Sequence, residues 1–193
     1  MTPNLMGLLA LAPLLVLLVL IALQDIRSHR IPNKMVLIGL ILGLCLNGLL
    51  PKGLGFNSVA PGALGWLDAL QGIGLGLLIF LPLYWLRVMA AGDVKLMAMV
   101  GAFLGSDDVL GALLATFIAG GVMGLVIVVR SRQVAQLLQN MKFMLLGGMV
   151  NMNAGQLPIM SDLPMSVGKL PYAVAIAMGT LCYLVWQRIQ YMQ

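Results

Sequence analysis

The chain has 193 residues, of which 61% are hydrophobic and 9% charged, with a formal net charge of +5. Soluble domains carry about 25% charged residues, so this composition excludes a water-soluble globular domain and leaves a polytopic membrane protein as the class. The basic residues are scattered between apolar runs and form no dense patch. They therefore fit membrane topology and anionic head groups rather than nucleic acid.

A membrane-crossing helix needs about 20 mostly apolar residues. In chain order the candidates are Leu5–Leu23, Met35–Leu50, Trp66–Leu86, Val109–Val129 and Leu170–Trp186. No positively charged region precedes the first run, so it reads as a membrane helix rather than a cleaved signal. A further segment, Val94–Gly105, is short and reaches crossing length only if the Gly92-Asp93-Val94-Lys95 stretch enters the membrane, giving a helix at about 92–106. The distribution of positive charge tests this crossing. If the segment crosses with the N-terminus outside, Arg27, Arg30, Lys34, Arg87, Lys95, Arg130, Arg132, Lys142 and Lys169 lie inside, and Lys52 and Arg188 outside. That is nine against two; without the crossing the count is six against five. The expected fold is therefore all-α, one membrane domain over 1–193 with six transmembrane helices and both termini outside.

The connections fit that layout. Pro51–Gly65 is rich in glycine and proline and reads as an external loop. Asp68 is expected at an external helix end, and Asp107-Asp108 in a solvated external turn. An inner loop is expected over 130–169. Within it, Ser131–Leu146 sets Val134, Leu137, Leu138, Met141 and Leu145 at helical spacing, with glutamines, Asn140 and Lys142 mostly off that stripe. That is the pattern of an amphipathic helix lying on the inner surface. Asn151–Lys169 reads as irregular, with Asp162 solvated between Ser161 and Pro164. The helix glycines (Gly72, Gly74, Gly76, Gly120, Gly121, Gly124) suit close helix contact. Cys45 and Cys182 each sit in an apolar run and lack the spacings of a disulfide framework or a metal site.

All six acidic residues are aspartates. Two of them, Asp25 at the end of the first helix and Asp93 at the start of the fourth, are expected at one depth on the inner rim. Ionisable residues embedded beside lipid are costly and functional by default. Two carboxylates at one partly desolvated site share a proton. The ionised member can activate water while the protonated one donates to a carbonyl, which is aspartic proteolysis without metal or cofactor. The alternative from spacing alone is a set of ordinary ion pairs, Asp25 with Arg27 or Arg30 and Asp93 with Lys95. Ser28 and His29 are neighbours in sequence, which does not make a nucleophilic triad; His29 fits the basic rim. Lys95 would either tune Asp93 or snorkel to the surface. Pro32 is suited to the start of the second helix.

Three segments carry a resemblance. Asp25-Ile26-Arg27-Ser28-His29-Arg30-Ile31-Pro32-Asn33 resembles the first signature of type IV prepilin peptidases. Ala90-Ala91-Gly92-Asp93-Val94-Lys95-Leu96 resembles their Gly-x-Gly-Asp signature, with Ala90 in place of the first glycine. Lys169-Leu170-Pro171-Tyr172-Ala173 resembles the Pro-Tyr-containing last helix of the short, pilus-assembly branch. The resemblance implies an aspartyl endopeptidase with Asp25 and Asp93 catalytic, supported by Gly92, Lys95, Arg30, Pro32 and Asn33. It implies prepilin or pilin-like substrates cleaved after a glycine, a bacterial inner membrane, periplasmic termini and no cofactor. Longer members carry a Cys-x-x-Cys insertion associated with methylation; Gln24–Lys34 holds no cysteine, so no methyltransferase is expected. A proton- or cation-coupled transporter and an inert pilus-assembly scaffold are the rival functions.

Overall fold

The computed structural model describes residues 3–58, 60–86, 88–130 and 171–191. It holds five helices: α1 (Pro3–Ser28), α2 (Asn33–Leu49), α3 (Trp66–Trp85), α4 (Ala91–Arg130) and α5 (Tyr172–Gln190). No strand element occurs among the described residues; the loop between α2 and α3 has only isolated bridges, Lys52 with Ala63 and Gly55 with Gly62. The expected amphipathic helix at 131–146, Asp162 and the loop at 151–169 lie outside the described residues.

The helices are apolar on all sides. In α1, Leu11, Leu14, Leu18 and Ile21 are buried, while Val16, Val19, Leu20 and Leu23 are exposed. An outward face of that composition suits lipid, and helical backbone satisfies its own polar groups there. Four helices are long and apolar enough to cross a bilayer, and α2, at 17 residues, is shorter.

At 40 residues, α4 would run about 60 Å if straight, twice the hydrocarbon thickness. It is not straight. Gly105 has φ 77° and ψ −172°, a backbone region essentially restricted to glycine. The two arms, 91–104 and 106–130, run back alongside each other, as their contacts with α5 establish. Tyr183 and Gln187, late in α5, bond Asp108. Tyr172, at the start of α5, lies against Gly120 and within electrostatic range of Asp93. Both arm ends remote from Gly105 thus lie toward the start of α5.

That near end gathers the C-terminus of α1 and the N-termini of α2, α4 and α5. At the far end, buried Asn47 donates to the carbonyls of Ala102 and Phe103 and accepts from the Leu64 N–H, at 2.8, 3.1 and 3.0 Å. Ser106 donates to Asp68. Asp108 is half-buried rather than solvated: its Oδ1 accepts from the Tyr183 hydroxyl at 2.8 Å and Gln187 Nε2 at 2.7 Å. Asn57 donates to Gln187 Oε1 and the Leu184 carbonyl, both at 2.8 Å, which pins the loop between α2 and α3 to α5. The expectation of a solvated pair holds for exposed Asp107 and fails for Asp108, to which α5 supplies two donors.

Packing centres on α4, which meets α3 most extensively, then α5 and α2; α1 leans on α5 and α2 and scarcely touches α4. Gly72 and Gly76 bring α3 onto the backbone of Gly101 and Met97. In α2, Gly39 makes room for the Met99 side chain, and Gly43 lies on Ala102 and the Phe103 ring. Gly74, Gly121 and Gly124 face open space instead, so only some of the helix glycines serve close contact.

Candidate active site

Asp25 lies in the last turn of α1 and Asp93 in the first turn of α4; they are 6% and 5% exposed, respectively. Carboxylates are seldom buried without a partner, and each is held by one peptide N–H. Asp25 Oδ2 accepts from the N–H of Ala173 at 3.1 Å. Ala173 is the second residue of α5, one of the positions whose N–H has no intrahelical acceptor. The positive end of that helix also favours a carboxylate. Asp93 Oδ2 reaches back to the N–H of Ala90 at 3.0 Å, while the Ala90 carbonyl accepts from the Asp93 N–H at 3.1 Å. This is the reach-back half of a capping box, with Asp93 at the third helical position.

The two carboxylates are near enough for the charge of Asp25 to act on Asp93. No other described residue donates to either. Among the described residues neither forms an ion pair, so the reading of Asp25 with Arg27 or Arg30, and Asp93 with Lys95, does not hold. Exposed Lys95 instead donates to Asn33 Oδ1 at 3.2 Å, tying the first turns of α4 and α2.

The other residues singled out by sequence meet here in part. Gly92 lies on Ile31: a methyl group at 92 would come 2.9 Å from the Ile31 Cβ. The first two signature segments are therefore in contact. Pro32 is the N-cap of α2 rather than its first helical residue, with φ −73° and ψ 112°, and its carbonyl accepts from Met35 and Val36. Arg30 is exposed, and its backbone carbonyl is engaged by Ser28 at 3.5 Å. Its side chain is not drawn onto the carboxylates. Ala90 has no positive φ; His29 is the one non-glycine residue with positive φ among those described. The alanine at the first glycine position of the second signature is therefore compatible with this backbone.

Sequence reasoning missed the role of α5. The Pro171-Tyr172 pair was visible as a helix start, but a backbone N–H leaves no mark in a residue string. It also missed how α1 stops. His29 has φ 48° and its N–H bonds the Asp25 carbonyl at 2.8 Å, a left-handed cap more often made by glycine.

A protein-family model, described as the type IV leader peptidase family, matches residues 12–125, more than half of the chain. The chain belongs to the type IV leader peptidase family. The match spans α1 through most of α4 and so includes both aspartates; α5 lies beyond it. Searches of curated proteins and of solved structures gave no match. With a leader-peptidase family and several helices apolar enough to cross a bilayer, this is a multi-pass membrane protein of a protease family. Its substrates are accordingly proteins.

Proposed function

We propose that the chain is an aspartyl endopeptidase that removes the basic leader from prepilin or pilin-like proteins at the cytoplasmic face of a bacterial inner membrane. The observation that carries this reading is the burial together of Asp25 and Asp93, from segments far apart in the chain, at one end of the bundle. One carboxylate, ionised, takes a proton from a water whose oxygen attacks the scissile carbonyl. The other, protonated, donates to the carbonyl oxygen. The tetrahedral intermediate then collapses as the leaving nitrogen is protonated. Each carboxylate keeps one oxygen free of described donors, available to water and substrate.

The layout follows from this reading. With the arms of α4 counted separately there are six crossings, both termini are periplasmic, and the near end faces the cytoplasm. The nine-to-two charge bias supports that orientation. A basic leader is held on the same side by the same rule, so its junction with the hydrophobic helix reaches the aspartates. A transporter would carry its carboxylates near the bilayer midplane; these sit in terminal helical turns.

The test is cleavage of a membrane-embedded pilin precursor by the purified protein in liposomes. Asp25→Asn and Asp93→Asn should each abolish processing while the protein still folds. Processing unchanged in either variant removes that aspartate from the pair. Failure of the wild-type protein to cleave any such precursor favours the scaffold.

A further inference from the structure

We propose that Tyr172 is a substrate-binding residue of this site, its phenol hydroxyl donating a hydrogen bond to a backbone carbonyl of the polypeptide lying across Asp25 and Asp93. The proposal rests on the peptidase reading above.

Four observations converge on this side chain. Tyr172 immediately precedes Ala173, whose N–H holds the Asp25 carboxylate. Its backbone is therefore anchored one residue from that contact. It also lies within electrostatic range of Asp93. Its oxygen is seated over buried Gly120 in the second arm of α4, where a Cβ would come 2.9 Å from Oη and 3.1 Å from Cζ. Glycine is the residue that leaves this seat open. Finally, Tyr172 is half-buried, yet its hydroxyl has no hydrogen-bond partner among the described residues. Tyr183 in the same helix shows the usual arrangement, donating to Asp108 at 2.8 Å. The Tyr172 hydroxyl is partly enclosed and keeps its donor open near Asp93 and the Asp25 anchor, available to the substrate.

The acceptor follows from the chemistry of the occupant. A peptide extended into the site for hydrolysis exposes carbonyl oxygens that have left their own helix. In a water-poor setting each lost partner is costly. A neutral donor satisfies such an oxygen without adding a charge beside the aspartate pair. Tyr172 thus binds the substrate backbone and leaves proton transfer to the carboxylates.

The experiment measures kcat and KM for a full-length, membrane-embedded pilin precursor with a basic leader ending in glycine. The enzymes are the full chain in liposomes as wild type, Tyr172→Phe, Gly120→Ala and the double variant. Tyr172→Phe keeps the ring and its packing. It should raise KM about tenfold with kcat nearly unchanged, the mark of lost binding shared by ground and transition states. Gly120→Ala displaces the phenol and should raise KM similarly, but add little in the Tyr172→Phe background. A merely structural role would lower kcat through lost active enzyme and leave KM alone. Wild-type KM in Tyr172→Phe, or a fall in kcat alone, overturns the proposal. Asp25→Asn and Asp93→Asn run in parallel separate the two readings. If either still cleaves, the peptidase reading fails and takes this one with it. If both are inactive while Tyr172→Phe keeps its wild-type KM, only the role of Tyr172 falls.

Discussion

The carboxylate of Asp25 and the backbone N–H of Ala173 meet at 3.1 Å across 148 residues of sequence. That contact ties the end of α1 to the start of α5 and turns one oxygen of Asp25 toward the helix, leaving the other without a donor among the described residues. Asparagine keeps an acceptor oxygen here and alanine does not. Both Asp25→Asn and Asp25→Ala should abolish cleavage. Only Asp25→Ala should also destabilise the fold, by about 1–3 kcal/mol, because it orphans a buried N–H. Thermal unfolding beside the cleavage assay checks this. Equal unfolding midpoints for the two variants would show that the bond does not support the fold.

Ala90 and Gly92 occupy the two glycine positions of the second signature, and the structure assigns them opposite tolerances. Ala90 caps α4 without positive φ. Glycine is at least as good an N-cap as alanine. Ala90→Gly should therefore leave processing within about twofold, since no rearrangement of the cap is required. Gly92 is confined by Ile31, with 2.9 Å available to a new methyl. Gly92→Ala should force the first turn of α4 off Ile31 and move Asp93 with it. A displacement of that kind costs 10-fold or more in rate, on the order of the loss from a misplaced catalytic group. Initial cleavage rates for the two variants, each normalised to folded protein, decide the matter; a tolerant Gly92→Ala would mean that Ile31 yields.

Gly105 permits the reversal inside α4, so the positions of both arms depend on it. Its φ of 77° and ψ of −172° are closed to residues with a Cβ, and an added Cβ would run into Leu64 Cδ1. Gly105→Ala should cost about 1–3 kcal/mol from the backbone alone, seen as a lower unfolding midpoint in detergent. An unchanged midpoint would mean that the arms are joined by a turn of different geometry.

Much of this architecture is legible in composition because lipid demands long apolar runs. Trp66–Leu86 in sequence became Trp66–Trp85 in structure, and Val94–Gly105 ended at the glycine that breaks α4. The boundary of α1 moved further, from Leu23 to Ser28. Hydropathy stops at Gln24, but helical hydrogen bonding does not, and Asp25 therefore lies inside the helix. The carboxylate pair was legible because charge is rare in such a chain. Its anchoring was not. The N–H of Ala173 belongs to every residue type but proline, and no pattern marks His29 as left-handed. The far-end polar contacts escaped for a related reason: Asn57, Asp108 and Gln187 look like surface residues until α5 and the loop between α2 and α3 are docked.

That far-end cluster yields the last prediction. Asp108 Oδ1 accepts from both Tyr183 and Gln187, and Gln187 in turn accepts from Asn57. Asp108→Ala would leave two partly buried donors without their acceptor, at a cost of about 1–3 kcal/mol. Asp108→Asn retains one acceptor oxygen and should cost less. Some 12 helical residues separate Asp108 from Gly120, about 18 Å along the second arm of α4, so the aspartate pair lies well away from this cluster. Both variants should therefore unfold at lower temperature yet cleave at the wild-type rate per folded molecule. A loss of cleavage rate at an unchanged unfolding midpoint would instead show that the two ends of the bundle are coupled, with the tie between the α2–α3 loop and α5 governing the geometry of Asp25.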